Sequence, residues 1–383
     1  MGRAFHIAHW ILIGLAVFCA AAIDLGGIPK SVARDGHYVG DFTVFWTAAK
    51  SDPAIIYDIG AISRAQAPLL GGEKGARPFL NPPSLLPWLA PFAQLPLLPA
   101  LALWSALGLL AFGWASWRLV SWKMVGLIIL APPFVLAVVT GQVTLFVSAA
   151  VIVSLTQVRT RPLLAGVLFG IAATIKPQAV LLAPLALVAG GHWRTLLAAA
   201  ATGVLIGLAC LLFQGPALWI SWRDALSGFG EIAQRSYLMR RGATPANLVY
   251  LMGLTGPAAL AVRIGGVALG LATVWVTFRA TEDVTLRLGA LVAGSILCIP
   301  YAMPYEVLPL LIPATIMLLD RDRPVLWLVG FLLVTQLILP LGVMAMAVAL
   351  LWLALSGGSP PRLRGLGGEA FSRATAPSEQ RAG

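Results

Sequence analysis

Apolar runs recur along this chain from Trp10 to Leu355, most of them at or just under the length of a bilayer crossing. In hydrocarbon every backbone N–H and C=O must be paired internally, so runs of this kind are read as helices packed into a bundle. Composition agrees, with 59% hydrophobic and 11% charged residues and a mean hydropathy of +0.88, against roughly 25% charged residues in a soluble domain. The expectation is an all-α polytopic membrane protein. It has one domain over residues 1–356 and a Gly, Ser, Pro and Arg-rich disordered cytoplasmic tail over 357–383.

A net charge of +11 would suggest a nucleic-acid partner in a soluble protein. Here the basic residues fall mostly in short loops between apolar runs, the footprint of the positive-inside rule, and no nucleic acid is expected. Arg3 precedes an apolar stretch ending in Cys19-Ala20-Ala21-Ala22, which raises the alternative of a signal peptide. The run from Ile7 to Ile23 exceeds a signal core of about 7 to 15 residues and reads as an uncleaved first span. Cys19, Cys210 and Cys298 all fall within predicted spans and form no CxxC or Cys/His pair, so they read as packing residues.

Laying the runs across a bacterial inner membrane, with Arg3 in the cytoplasm, gives about twelve crossings and two cytoplasmic termini. The larger loops, 27–82 and 214–247, are then periplasmic. The first is followed by "PSLLPWLAPFAQLP", read as a proline-broken surface or re-entrant helix before the crossing that starts at Leu97. The second carries Arg223, Arg235, Arg240 and Arg241 against the positive-inside expectation, so its arginines need another reason to be there. Several runs would span only ~20 to 24 Å at 1.5 Å per residue, short of a ~30 Å hydrocarbon core. Polar turns that stop inside the membrane imply a water-filled cavity open to the periplasm.

The polar turns of that face are the candidate site. Asp41 heads a predicted short amphipathic helix with Phe42, Phe45, Trp46 and Ala49 at helical spacing, suited to lying in the membrane interface. Asp41 is either the cap of that helix or a catalytic base. Asp58 reads as a turn or cap residue, Asp35 and Asp52 as loop acids, and His37 as a solvated loop residue. Lys176, at a helix end before Pro177, is either a snorkelling lysine or a cation for phosphate, a task for which Arg235, Arg240 and Arg241 offer forked donors. Gln142 follows Gly141 in a tight turn and can both donate to and accept from sugar hydroxyls. Gln178, Asn247, Tyr301, Tyr305 and Glu306 share the same face as sugar or acceptor contacts, with Glu306 alternatively paired to an arginine. No Walker loop, GxSxG, HExxH or metal-ligand spacing occurs, so neither a metal nor a cofactor is expected.

The run Asp41-Phe42-Thr43-Val44-Phe45-Trp46-Thr47-Ala48-Ala49, with Tyr57-Asp58, Asn81-Pro82-Pro83, Gly141-Gln142, Ala165-Gly166, Lys176-Pro177-Gln178, His192-Trp193-Arg194 and Tyr301 to Glu306, resembles glycosyltransferase family 87 over about residues 5 to 355. The chain departs from the family in Glu306, where Tyr-Asp is common, and in Phe79-Leu80 before Asn81. The resemblance implies a GT-C-like helical bundle with a periplasmic active site and a polyprenyl-phosphate-linked sugar donor, mannose being the expected sugar. It further implies a lipid or glycan acceptor and Asp41 as catalytic base. A transporter or flippase of a lipid-linked sugar is the alternative, since it would use the same polar cavity.

Overall fold

The computed structural model describes residues 3–73, 76–233, 236–320 and 322–357. Arg235 and the tail from residue 358 onward lie outside the described residues. Within them the chain forms nineteen α-helices, four short 3-10 segments and one two-residue hairpin, Ala33–Arg34 with His37–Tyr38.

Four helices contain stretches long and apolar enough to cross a membrane: His6–Gly26, Leu97–Ser116, Trp193–Gln214 and Gly256–Ala280. A fifth crossing is available if Trp122–Ile129 and Pro132–Val139, bent by 64°, count as one broken span. The bend falls where Pro132 and Pro133 remove donors from the helical ladder. The other apolar helices have 10–17 residues, or ~15 to 26 Å at 1.5 Å per residue. The expected count of about twelve crossings is therefore not reached by helix length; it would require the short helices to take part.

The short helices make up much of the interior. Val284–Cys298 is buried over twelve consecutive residues, Leu286 to Leu297. Leu311–Leu319 and Thr144–Gln157 are also mostly buried. A helix apolar on all sides has no polar face for water, and here that face meets protein. Trp193–Gln214, by contrast, buries few of its residues and exposes Leu197, Leu205, Leu212 and Phe213.

Close packing on that outer helix is set by Gly166 and Gly170, one turn apart on Pro162–Ile175. A methyl group at Gly166 would lie 2.5 Å from the Ala198 Cβ, and one at Gly170 would lie 2.6 Å from the Thr202 Cβ. Small residues at this spacing let two helix backbones approach where lipid offers no hydrophobic drive to associate.

The segment Asn81-Pro82-Pro83 is clamped between elements distant in sequence. Asn81 donates from its side-chain amide to the Ile175 carbonyl at 3.3 Å, and Ser84 Oγ donates to the Thr174 carbonyl at 2.5 Å. Gln214 and Trp222 donate to the Pro83 and Leu80 carbonyls. Tyr57 donates its hydroxyl to the Asn81 carbonyl at 2.7 Å, and burial pushes that phenol above its ordinary pKa, so it stays a donor. This clamp holds the C-terminal end of helix Pro162–Ile175, and with it Lys176, against the first loop.

Candidate functional site

After the first long helix the chain reverses in the hairpin, with Asp35 and Gly36 at positive φ. Tyr38 follows, a half-buried phenol that donates to the Val139 carbonyl at 3.0 Å and that its partial burial, with the Asp41 charge, pushes above its usual pKa. Asp41 comes next, at the start of helix Phe42–Lys50.

Both readings of Asp41 are addressed by its geometry. Its backbone is already helical (φ −65°, ψ −24°) and its side chain makes no capping bond. Asp52 and Asp58 do cap, accepting from the Ala54 and Ala61 amides at 2.8 Å each. The Asp41 carboxylate turns instead to two side chains: Oδ1 pairs with the Arg77 guanidinium, and Oδ2 accepts from the Gln142 amide. The helix it heads is not laid on a surface as the aromatic spacing predicted. Phe42, Thr43, Val44, Phe45, Thr47 and Ala48 are all buried, because the helix packs against Ile59–Leu70 and Leu86–Ala93.

Gln142 is held in place by its turn. Gly141 has φ +66°, and a methyl group there would sit 2.7 Å from the Phe42 Cβ, so both backbone and space require glycine. Trp104 donates to the Gly141 carbonyl at 3.0 Å, and the Phe42 amide donates to the Thr140 carbonyl at 2.9 Å. Gln142 thus reaches Asp41 from a turn already bonded to the neighbouring backbone.

Two residues further on, Thr144 belongs to the second half of the cluster. Lys176 stands where Pro177 forces the preceding residue out of the helical region (φ −149°, ψ 74°). Its side chain turns inward rather than snorkelling, with Nζ 2.8 Å from Thr144 Oγ1, 2.8 Å from Glu306 Oε1 and 5.2 Å from the centroid of the Tyr305 ring. The Lys176 and Glu306 side chains are only 5% and 10% exposed. Glu306 was read as a sugar or acceptor contact or, alternatively, as paired to an arginine; in the structure its partner is Lys176, because the 3-10 turn Pro304–Leu310 reaches the broken helix end directly. The turn between them links the halves, since Gln142 donates to Asp41 and Thr144, two residues on, accepts from Lys176. A cavity of about 20 Å³, room for about one water, adjoins the lysine pair and is lined by Thr144, Ser148, Gln178 and Glu306 among others.

The structure therefore brings together Asp41, Gln142, Lys176, Tyr305 and Glu306, with Gln178 beside them. Tyr301 stacks edge-on against Phe229 at 5.5 Å. Arg240 and Arg241 are exposed at the end of helix Ser236–Arg241. Asn247 is fully buried, and its amide is occupied by Thr244 and by the Leu238 and Met239 carbonyls. It joins two helices instead of facing a sugar, a correction that follows from its place as the third residue of a helix begun by Thr244 and Pro245.

Arg77 is the residue that sequence reading missed. Like the later arginines it is a cation in a loop assigned to the periplasm, and it stands four residues before Asn81-Pro82-Pro83. Pro78 keeps it extended. Buried Gln66 anchors its backbone on both sides, donating to the Arg77 carbonyl at 2.8 Å and accepting from the Arg77 amide at 3.2 Å.

Chemically, the cluster offers one carboxylate held by two donors and a second ion pair beside it. Two cations and two anions balance with the surrounding hydroxyls as further donors. The family model for glycosyltransferase family 87 matches residues 79–300, more than half of the chain, a span that includes Gln142 and Lys176 and ends before Tyr305 and Glu306. No curated protein and no solved structure matches the chain. The chain belongs to glycosyltransferase family 87 and is a membrane glycosyltransferase.

Proposed function

We propose that the protein transfers a sugar, mannose in the simplest reading, from a polyprenyl-phosphate donor to a hydroxyl of a lipid or glycan acceptor at the periplasmic face of a bacterial inner membrane. The single observation that carries this reading is the state of Asp41: a largely buried carboxylate that caps no helix, oriented by Gln142 and Arg77 in the chain of a family 87 glycosyltransferase.

Asp41 takes the proton of the acceptor hydroxyl as its oxygen forms a bond to the anomeric carbon. The bond from that carbon to the phosphate oxygen breaks, and the electron pair leaves with polyprenyl phosphate. One displacement inverts the anomeric centre. A positioned general base contributes on the order of 10² to 10⁴ in rate, and cations at the leaving phosphate stabilise the charge that develops there. Lys176 and Arg77 supply cations within the cluster. Arg235, Arg240 and Arg241 are assigned to the approach of the donor, and Gln178 and Tyr301 to sugar or acceptor contact.

The test is transfer in vitro by purified protein from a synthetic polyprenyl-phosphate mannose. Labelled product that appears with wild type and is absent with Asp41→Asn supports the reading. Undiminished turnover by Asp41→Asn removes Asp41 from the chemistry, and movement of intact donor across vesicles without transfer would point to a flippase.

A further inference from the structure

We propose that Arg77 is a latch on the base: it covers Oδ1 of Asp41 in the arrangement seen here, and moves to the phosphate of an arriving donor, so that donor binding uncovers the carboxylate for the acceptor. This rests on the reading of Asp41 as base and of the donor as a phosphate ester.

Both oxygens of Asp41 are engaged, and its side chain is only 16% exposed. An acceptor hydroxyl must therefore compete with Arg77 and Gln142 for the same lone pairs. The two partners differ in exposure. Gln142 is 2% exposed and sits on a turn bonded to Trp104 and Phe42. The Arg77 side chain is 33% exposed and its backbone is pinned by Gln66, so of the two partners the guanidinium is the one an arriving anion reaches from solvent.

The destination is close at hand. Gln142, bonded to Asp41, and Thr144, bonded to Lys176, are two residues apart on one turn, so a guanidinium that leaves Asp41 remains in the same cluster as a second cation. A guanidinium fork matches two phosphate oxygens at once. Of the two ion pairs in the cluster, Arg77–Asp41 is the more exposed, and a partly solvated pair is less costly to open than a buried one. The arriving phosphate replaces the carboxylate as counter-anion, which keeps the guanidinium paired throughout. The consequence is order: donor first, acceptor second, with the base uncovered only once a leaving group is in place.

The experiment measures binding of farnesyl phosphate and of farnesol to the full chain in lipid nanodiscs, for wild type, Asp41→Asn, Arg77→Gln and the double variant. Removing the carboxylate charge releases Arg77, so Asp41→Asn should bind farnesyl phosphate about tenfold tighter than wild type, while Arg77→Gln binds it about tenfold weaker. The double variant should match Arg77→Gln, and farnesol affinity should be the same in all four. A phosphate preference equal in wild type and Asp41→Asn overturns the latch alone, as does tightening that persists in the double variant. Equal binding of farnesyl phosphate and farnesol by every protein overturns the donor reading and the latch with it. Asp41→Asn is nearly isosteric, and thermal unfolding of each variant checks that it is folded.

Discussion

Lys176 and Glu306 close a 2.8 Å ion pair inside the protein, between a helix broken by Pro177 and a 3-10 turn opened by Pro304. Pro177 follows Lys176 directly, and Pro304 opens its turn two residues before Glu306. Breaking a buried pair by removing one partner leaves an uncompensated charge and costs about 3 to 5 kcal/mol. Lys176→Met and Glu306→Gln should each lower the thermal midpoint strongly in detergent. The double variant should recover most of that stability, yet transfer should stay low because the leaving phosphate has lost a cation. Recovery of transfer together with stability would make the pair purely structural.

Asp41 and Asp58 each precede a helix, and only Asp58 caps one. Asp58→Ala should cost about 0.5 to 2 kcal/mol of stability, the range for losing an N-cap, with transfer retained once the protein is folded. Asp41→Asn should show the opposite pattern, transfer lost and stability close to wild type. Measuring thermal midpoint and turnover for both variants separates base from cap, and matching behaviour of the two would erase the distinction.

Much of the helical layout was legible because prolines and glycines punctuate it. The apolar run Pro162–Ile175 ends where Lys176-Pro177 predicted, and the run after Gly141-Gln142 became Thr144–Gln157. The role of Asp58 as a cap was readable for the same local reason. The environment of Asp41 was not, because Arg77 and Gln142 reach it from loops with no periodicity to announce their direction. The spacing of Phe42, Phe45, Trp46 and Ala49 fits an interfacial helix and a buried one equally well, and only the neighbouring helices decide. Asn247 misled in a similar way, since a polar residue on the expected face can be spent wholly on its own backbone neighbourhood.

Gly141 carries the turn that aims Gln142. Gly141→Ala must place a side chain at φ +66° and 2.7 Å from the Phe42 Cβ. The backbone term alone costs about 1 to 2 kcal/mol, and relief of the clash moves the turn away from Asp41. Transfer should fall more than stability does, with turnover reduced by about tenfold or more, the loss expected when a catalytic group is displaced by a fraction of an ångström. Wild-type turnover in Gly141→Ala would show that Gln142 does not orient the base.

On the opposite side of the predicted topology, Arg287 is buried and joins three loops. Its Nη1 lies 3.1 Å from His192 Nε2 and 3.4 Å from Glu282 Oε2, while Arg159 pairs with the same Glu282 oxygen at 3.1 Å. Burial first, then the Arg287 charge, lowers the His192 pKa from its ordinary 6.5, with Glu282 opposing and Arg159 adding to the shift. The neutral imidazole accepts from Arg287, and protonation would set two cations against each other. Because the folded state holds the lower pKa, the unfolded chain binds this proton more readily. The stability from this group is therefore complete above pH 6.5 and is lost as pH falls below it through the folded value. The thermal midpoint of wild type should drop across that window, and His192→Gln, which keeps an acceptor without a titrating group, should flatten the decline. Identical slopes in the two proteins would assign the acid sensitivity to other groups.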